Sequence, residues 1–238
     1  MIPVGDDQGR RRVAVASILL GVVWIVTHLA LWRADAAELA EFERHFGLDR
    51  TILNSRLSRI RGDAGIDGVW HALALVVPFV TYKLLHGAPV QVFCNVLAMY
   101  VFGGRLEQRA GALRFLLFHE LAGAMVAVSA IYLSPDSRPM SGASGAVAAS
   151  VTAYLMLHGR AKVRMLFPVV VWPVFFQLPA LLVALGWVLM HVPRVGLLLH
   201  LGGTRAVGWG ELAVGSLAGV FFIPLLTFRR PRNPGRRR

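Results

Sequence analysis

The sequence has few charged residues. Only 16% of its 238 residues are Asp, Glu, Lys or Arg, whereas 56% are hydrophobic. An ordinary soluble domain has about 25% charged residues, and the apolar residues of this chain are too many for one water-soluble core. The composition therefore excludes an ordinary soluble globular domain and predicts an integral membrane protein.

Cysteine is nearly absent as well. Cys94 is the only one, so no disulfide can form within the chain. No group of His, Cys, Asp and Glu residues has the spacing of metal ligands, and the sequence contains no cofactor fingerprint. We therefore expect neither a metal nor a cofactor.

Acidic residues are also scarce. The sequence has 13 Asp and Glu but 25 Lys and Arg, which gives a formal charge of +12. Arginines are concentrated at both ends and predict a basic cytoplasmic N-tail at residues 1–12 and a basic cytoplasmic C-tail at residues 229–238. Because the chain between them is so apolar, we expect these tails to contact anionic lipid head groups and no nucleic acid.

Long hydrophobic runs fill the region between the tails. A membrane-crossing helix needs about 20 mostly apolar residues, and apolar stretches occur at 13–32, 69–85, 89–104, 113–133, 142–158, 163–192 and 206–228. The second stretch contains His71, Pro78 and Lys83, so we expect it to dip into the membrane without crossing it. The prediction is an all-α polytopic protein with six transmembrane helices in a membrane domain at 13–228. Residues 33–88 form its long, partly amphipathic first loop.

The basic residues between the spans predict the orientation. With both termini in the cytoplasm, the clusters at 105–114 and 160–164 also lie on the cytoplasmic side, as the positive-inside rule requires. We expect a multi-pass protein of the bacterial inner membrane. In the third span, His119 and Glu120 lie only a few residues from Arg114, so we expect them to snorkel to the interface or to form a local pair.

A cluster of small residues, GASGA at 142–146, opens the fourth span. Such clusters are common packing sites between membrane helices, which is the simpler interpretation of this one. A serine flanked by Gly142 and Gly145 at a helix entrance is also open to close approach, and nearby amide groups there can stabilise an oxyanion. Taken alone, the cluster does not decide between packing and a nucleophile.

Four separated stretches resemble the rhomboid family of intramembrane serine proteases: LLHGAPVQVFCN (84–95), FGGRLEQRAG (102–111), GASGA (142–146) and VGWGELAVGSLAGV (207–220). The resemblance implies six helices around a water-filled cavity. It also implies a catalytic dyad of a serine on the fourth helix and a histidine on the sixth, which hydrolyses transmembrane substrates.

Carried over position by position, the family's nucleophile falls on Ser144, and its oxyanion-binding residues fall on Asn95 and Gln91. The family has a histidine where Gln91 stands, and glutamine still donates an N–H hydrogen bond. The resemblance gives structural roles to three further residues, which are His86, Glu107 and Arg109.

The match breaks at the catalytic base. Gly215 and Gly219 keep the four-residue spacing that presses the family's sixth helix against the fourth, and the position three residues before Gly215 is Leu212. Leucine cannot accept a proton. His200 lies too far before these glycines to belong to the same motif, so we place it in the preceding outer loop. His200 and Glu211 remain as surrogate bases.

The sequence therefore favours a rhomboid-like serine protease homologue that is catalytically impaired or inactive and engages transmembrane helices of other membrane proteins. An active intramembrane serine endopeptidase, in which Ser144 works with a non-standard base, is the alternative. A small channel or transporter ranks last because no internal repeat or pair of discontinuous helices is found.

Overall fold

The computed structural model describes residues 2–7, 13–62, 66–133, 140–168, 173–191 and 209–227, and most of them are helical. In chain order the α-helices are α1 (Val15–Leu31), α2 (Ala36–Phe46), α3 (Arg50–Gly62), α4 (Ile66–Thr81), α5 (Pro89–Ala98), α6 (Gly104–Ala110), α7 (Ala112–Leu133), α8 (Ser144–His158), α9 (Ala180–Met190), α10 (Trp209–Phe221) and α11 (Ile223–Thr227). A 3₁₀ turn at Tyr82–Leu84 follows α4, and a π-helical turn at Met99–Gly103 joins α5 to α6.

Three antiparallel strands in the described part of the chain contradict the all-α prediction. They are β1 (Ile2–Asp6), β2 (Lys162–Pro168) and β3 (Pro173–Pro179), with β2 in the centre. Among the described residues of the predicted fifth span at 163–192, those of α9 are helical and those of β2 and β3 are extended. Part of the predicted N-tail also belongs to the sheet. Val163 and Met165 of β2 are buried, whereas Lys162 and Arg164 are exposed. This alternation of buried and exposed residues is the period of a strand with one face on the core.

The prediction of six membrane spans is not confirmed. Within the described ranges, one helix is long and apolar enough to cross a bilayer, at Ala112–Tyr132. A second candidate is the pair Leu75–Leu84 and Pro89–Ala110, whose two arms are bent by 91°. The bend follows from the sequence, because Pro89 begins α5 and cannot continue a preceding helix. As far as the described residues extend, three other apolar helices are shorter: α1, α9 and α10.

The centre of the fold is α8. Its residues from Ser144 to Val151 are all buried, and α10 packs along it through glycines. A Cβ atom on Gly215 would lie 2.0 Å from the Gly145 carbonyl oxygen, and one on Gly219 would lie 2.4 Å from the Ala149 oxygen. Only glycine allows the two backbones to approach so closely.

The N-terminus of α1 is fixed by a carboxylate from another helix. Glu107 of α6 accepts hydrogen bonds from the Ala16 and Ser17 amides at 2.9 and 2.7 Å, and from Ser17 Oγ at 2.8 Å. The first amides of a helix have no partner within the helix, and the positive end of its dipole attracts an anion. Glu107 is only 5% exposed, so this contact joins α1 to α6 inside the protein.

Candidate functional site

Ser144 is the first residue of α8, and its side chain is 1% exposed. The chain reaches it through Gly142, whose φ of +113° strongly favours glycine. The Gly142 amide donates to the Tyr82 carbonyl at 2.9 Å, so the 3₁₀ turn after α4 holds the entrance of α8. A Cβ on Gly142 would lie 2.7 Å from Gln91 Nε2, which means that a side chain here would displace Gln91.

Two neutral amides from α5 converge on the serine hydroxyl. Gln91 Nε2 donates to Ser144 Oγ at 3.3 Å, and Asn95 Nδ2 donates to the same atom at 3.1 Å. The two donors are four residues apart and therefore lie on one face of the helix. The Ser144 hydroxyl faces Asn95 Oδ1 at 3.5 Å, a weak hydrogen bond. The site thus concentrates N–H donors of the kind that stabilise an oxyanion.

A hydrogen bond with His86 orients the side-chain amide of Asn95. Its Nε2 lies 3.3 Å from Asn95 Nδ2, and its Nδ1 lies 3.3 Å from the Leu84 carbonyl oxygen. His86 is buried, and burial favours the neutral form of an imidazole. A neutral ring donates through one nitrogen and accepts through the other, so Nδ1–H donates to Leu84 and Nε2 accepts from Asn95. Gln91 is oriented similarly, because its Oε1 accepts from the Gly87 amide at 3.1 Å.

The close contact of α10 with α8 brings the residues around Leu212 beside the serine. A Cβ on Gly145 would lie 3.2 Å from the Glu211 carbonyl oxygen, so the peptide that joins Glu211 to Leu212 passes next to the residue after Ser144. Leu212 is buried, at 7% exposure, within the main hydrophobic core.

Within the described part of the chain, no imidazole or carboxylate is hydrogen-bonded to Ser144 Oγ, and its partners are Gln91 and Asn95. The Glu211 side chain is half-buried and does not reach the hydroxyl as a hydrogen-bond partner. His200 lies outside the described residues. The Arg109 side chain is exposed, whereas Glu107, two residues earlier, is buried at the end of α1.

The sequence analysis missed how the 3₁₀ turn docks onto α7. Tyr82 donates its hydroxyl to the Gly123 carbonyl at 2.8 Å, and Lys83 forms an ion pair with Glu120. A Cβ on Gly123 would lie 2.9 Å from Lys83 Cδ, so Gly123 makes room for the lysine. The sequence offered one signal, because Lys83 lies in a weakly apolar segment and Glu120 lies in a strongly apolar one. Nothing in the sequence predicts that these two residues form a pair.

The expectation that His119 snorkels to the interface is wrong. His119 is 1% exposed, and its ring lies between Trp24, at a centroid distance of 6.0 Å, and Phe115, at 6.3 Å. Glu120 does form a pair, but with Lys83 of another element instead of a neighbour on α7. The tertiary packing decided both outcomes.

Comparison with known proteins gives one family. A family model described as Rhomboid domain matches residues 73–223, which begins within α4 and ends within α11. The matched range contains Gln91, Asn95, Ser144 and Leu212. No curated protein matches the chain.

Proposed function

Since the chain belongs to the rhomboid family, whose members are integral membrane proteins, we propose that it is a rhomboid-type protein with impaired or absent proteolysis. In this proposal it engages transmembrane helices of other membrane proteins. The protein would thus keep the family's fold and bind transmembrane helices without hydrolysing their peptide bonds efficiently.

The observation that carries the proposal is the environment of Ser144 Oγ, whose partners in the described chain are the side-chain amides of Gln91 and Asn95. An amide does not take up a proton at neutral pH. A serine hydroxyl is a weak nucleophile and needs an adjacent base to accept its proton. The family resemblance implies that the histidine's position falls on Leu212, and this side chain is buried in the core.

The magnitude of the expected loss is large. In a soluble serine protease, removal of the catalytic histidine lowers turnover by roughly 10⁶, about 8 kcal/mol of barrier. An oxyanion hole without a base retains only some 10³-fold catalysis over water. Gln91 and Asn95 therefore do not compensate for an aliphatic residue at position 212.

The alternative is an active intramembrane serine endopeptidase with a non-standard base. It is favoured by the convergence of two N–H donors on Ser144 at the start of α8, because this geometry suits a developing oxyanion. Glu211 would supply the base only after a rotation of α10, since consecutive helical residues point about 100° apart. His200 would supply it by folding over the site.

Cleavage of a generic rhomboid substrate by the purified protein in detergent separates the two proposals. We expect no cleavage by the wild type above the Ser144→Ala control. Cleavage by the wild type that the Ser144→Ala change abolishes would refute impaired proteolysis and support the alternative. In that case Glu211→Gln and His200→Gln variants identify the base.

A second variant tests the reason for the loss. Leu212→His restores a base at the family's position, and we expect measurable cleavage that again requires Ser144. The double variant Leu212→His/Ser144→Ala is the matched control.

Binding of transmembrane helices is measured by energy transfer between the labelled protein and a labelled transmembrane peptide in liposomes. Absence of any transfer would contradict that part of the proposal.

A further inference from the structure

Glu120 occupies an unusual position for an acidic residue. It follows Ala112 by eight residues in α7, the helix that is long and apolar enough to cross a bilayer. At 1.5 Å per residue it lies about 12 Å from the start of that span, well inside a hydrocarbon layer about 30 Å thick. Its side chain is nevertheless 39% exposed. Ionisable residues at such depth are costly and normally serve a function.

The ion pair with Lys83 uses only one of the two carboxylate oxygens of Glu120. Lys83 Nζ binds Oε2 from the protein side, and the lysine side chain is only 3% exposed. The described part of the chain provides no hydrogen-bond donor for the other oxygen, Oε1. The pair is neutral as a whole, and it presents one carboxylate oxygen, a strong hydrogen-bond acceptor, at the outer surface of the bundle.

The surroundings of this acceptor are apolar. Exposed side chains at helical spacing form a stripe along α7, which we call the α7 stripe: Leu113, Leu117, Leu121, Val128 and Tyr132. Glu120 lies at the border of this stripe, and half-buried Ala124 follows it one turn later. A small residue beside a polar one is the pattern by which membrane helices pack closely and form hydrogen bonds.

We propose that Glu120 and the α7 stripe bind a transmembrane helix of another protein that carries a hydrogen-bond donor side chain near the middle of the bilayer. The proposal rests on the proposed function, because it names the surface by which helices are engaged. In hydrocarbon no water competes for Oε1, so a donor on the incoming helix satisfies the one acceptor that Lys83 leaves open.

The test uses two synthetic peptides, each a leucine-rich transmembrane helix with lysine ends. One carries a single Asn at the depth of Glu120 and the other carries Leu there. Binding to the labelled full-length protein is measured by energy transfer in phosphatidylcholine liposomes at low peptide-to-lipid ratio. Hydrogen bonds between membrane helices are worth about 0.6 kcal/mol on average and up to about 1.7. We therefore expect the Asn peptide to bind roughly three- to twentyfold more tightly than the Leu peptide.

The decisive variant is Lys83→Met/Glu120→Leu, which removes both charges together and leaves no buried ammonium unpaired. We expect it to bind both peptides equally. Leu121→Ala is the matched control on the α7 stripe and should keep the preference for Asn. Equal binding of the two peptides by the wild type would overturn the inference, as would a preference for Asn that survives in the double variant.

The outcomes also separate this inference from the proposed function. If the Leu peptide binds and Asn adds nothing, only the role of Glu120 is wrong. If neither peptide binds, both proposals fail. Energy transfer between two labelled copies of the wild type that the double variant abolishes would identify a second copy of this chain as the occupant and would also overturn the inference.

Discussion

Replacing Gly215 by alanine should destabilise the protein, although alanine is the better helix former. The new methyl carbon would lie 2.0 Å from the Gly145 carbonyl oxygen and 2.8 Å from its carbonyl carbon, whereas unstrained contacts between carbon atoms lie at about 3.5–4.0 Å. Both opposing atoms belong to the backbone of α8 and cannot rotate away. Helix α10 must therefore move outward by more than about 1 Å and lose part of its packing.

The magnitude follows from two opposing terms. Overpacking of this kind costs about 1–3 kcal/mol, and we take about 3 because the obstacle is backbone. Replacing glycine by alanine in a helix stabilises the folded state by about 1 kcal/mol. The expected net loss of about 2 kcal/mol corresponds to a fall in Tm of roughly 4–8 °C for a chain of this size.

Thermal unfolding in detergent, followed by tryptophan fluorescence, measures this change. Gly210 provides the control, because it lies in the same helix and a Cβ there would meet no heavy atom of the described residues within 4 Å. Gly210→Ala should leave Tm unchanged or raise it by up to about 4 °C. A Gly215→Ala variant that melts at or above the wild-type temperature would show that α8 and α10 are not in backbone contact.

A further prediction concerns the contact of Glu107 with α1. Glu107→Ala leaves the Ala16 and Ser17 amides without acceptors, so we expect a loss of about 3 kcal/mol and a Tm lower by roughly 6–12 °C. A Tm equal to that of Gln108→Ala would contradict this role.

Composition and short motifs predicted the class of the protein and its family. An apolar chain with few charges predicts a membrane protein because its side chains cannot all be buried away from water. The resemblance to the rhomboid family grouped Gln91, Asn95 and Ser144, and the structure brings these three side chains together. Gln91 and Asn95 share one face of α5 because they are four residues apart, whereas their contact with Ser144 depends on tertiary packing.

The β-sheet was not readable from the sequence. Residues 163–192 form an apolar run, and such a run does not distinguish strand from buried helix by its periodicity. Strand β1 pairs with β2 across some 160 residues of chain, since Ile2 lies opposite Leu166 and Asp6 lies opposite Val163. Pairing at such a distance depends on how the helices fold, so no local segment of the sequence predicts that β1 pairs with β2.

The sequence by itself determined the environment of this protein, its family and the absence of a histidine at position 212, because each follows from which residues are present and in what order. Only the tertiary structure decided what those residues touch. It placed two amides on Ser144 Oγ, buried His119 in the core and paired Lys83 with Glu120 across 37 positions. These contacts join segments that are distant in sequence, and they exist only because the helices pack close enough for side chains to meet.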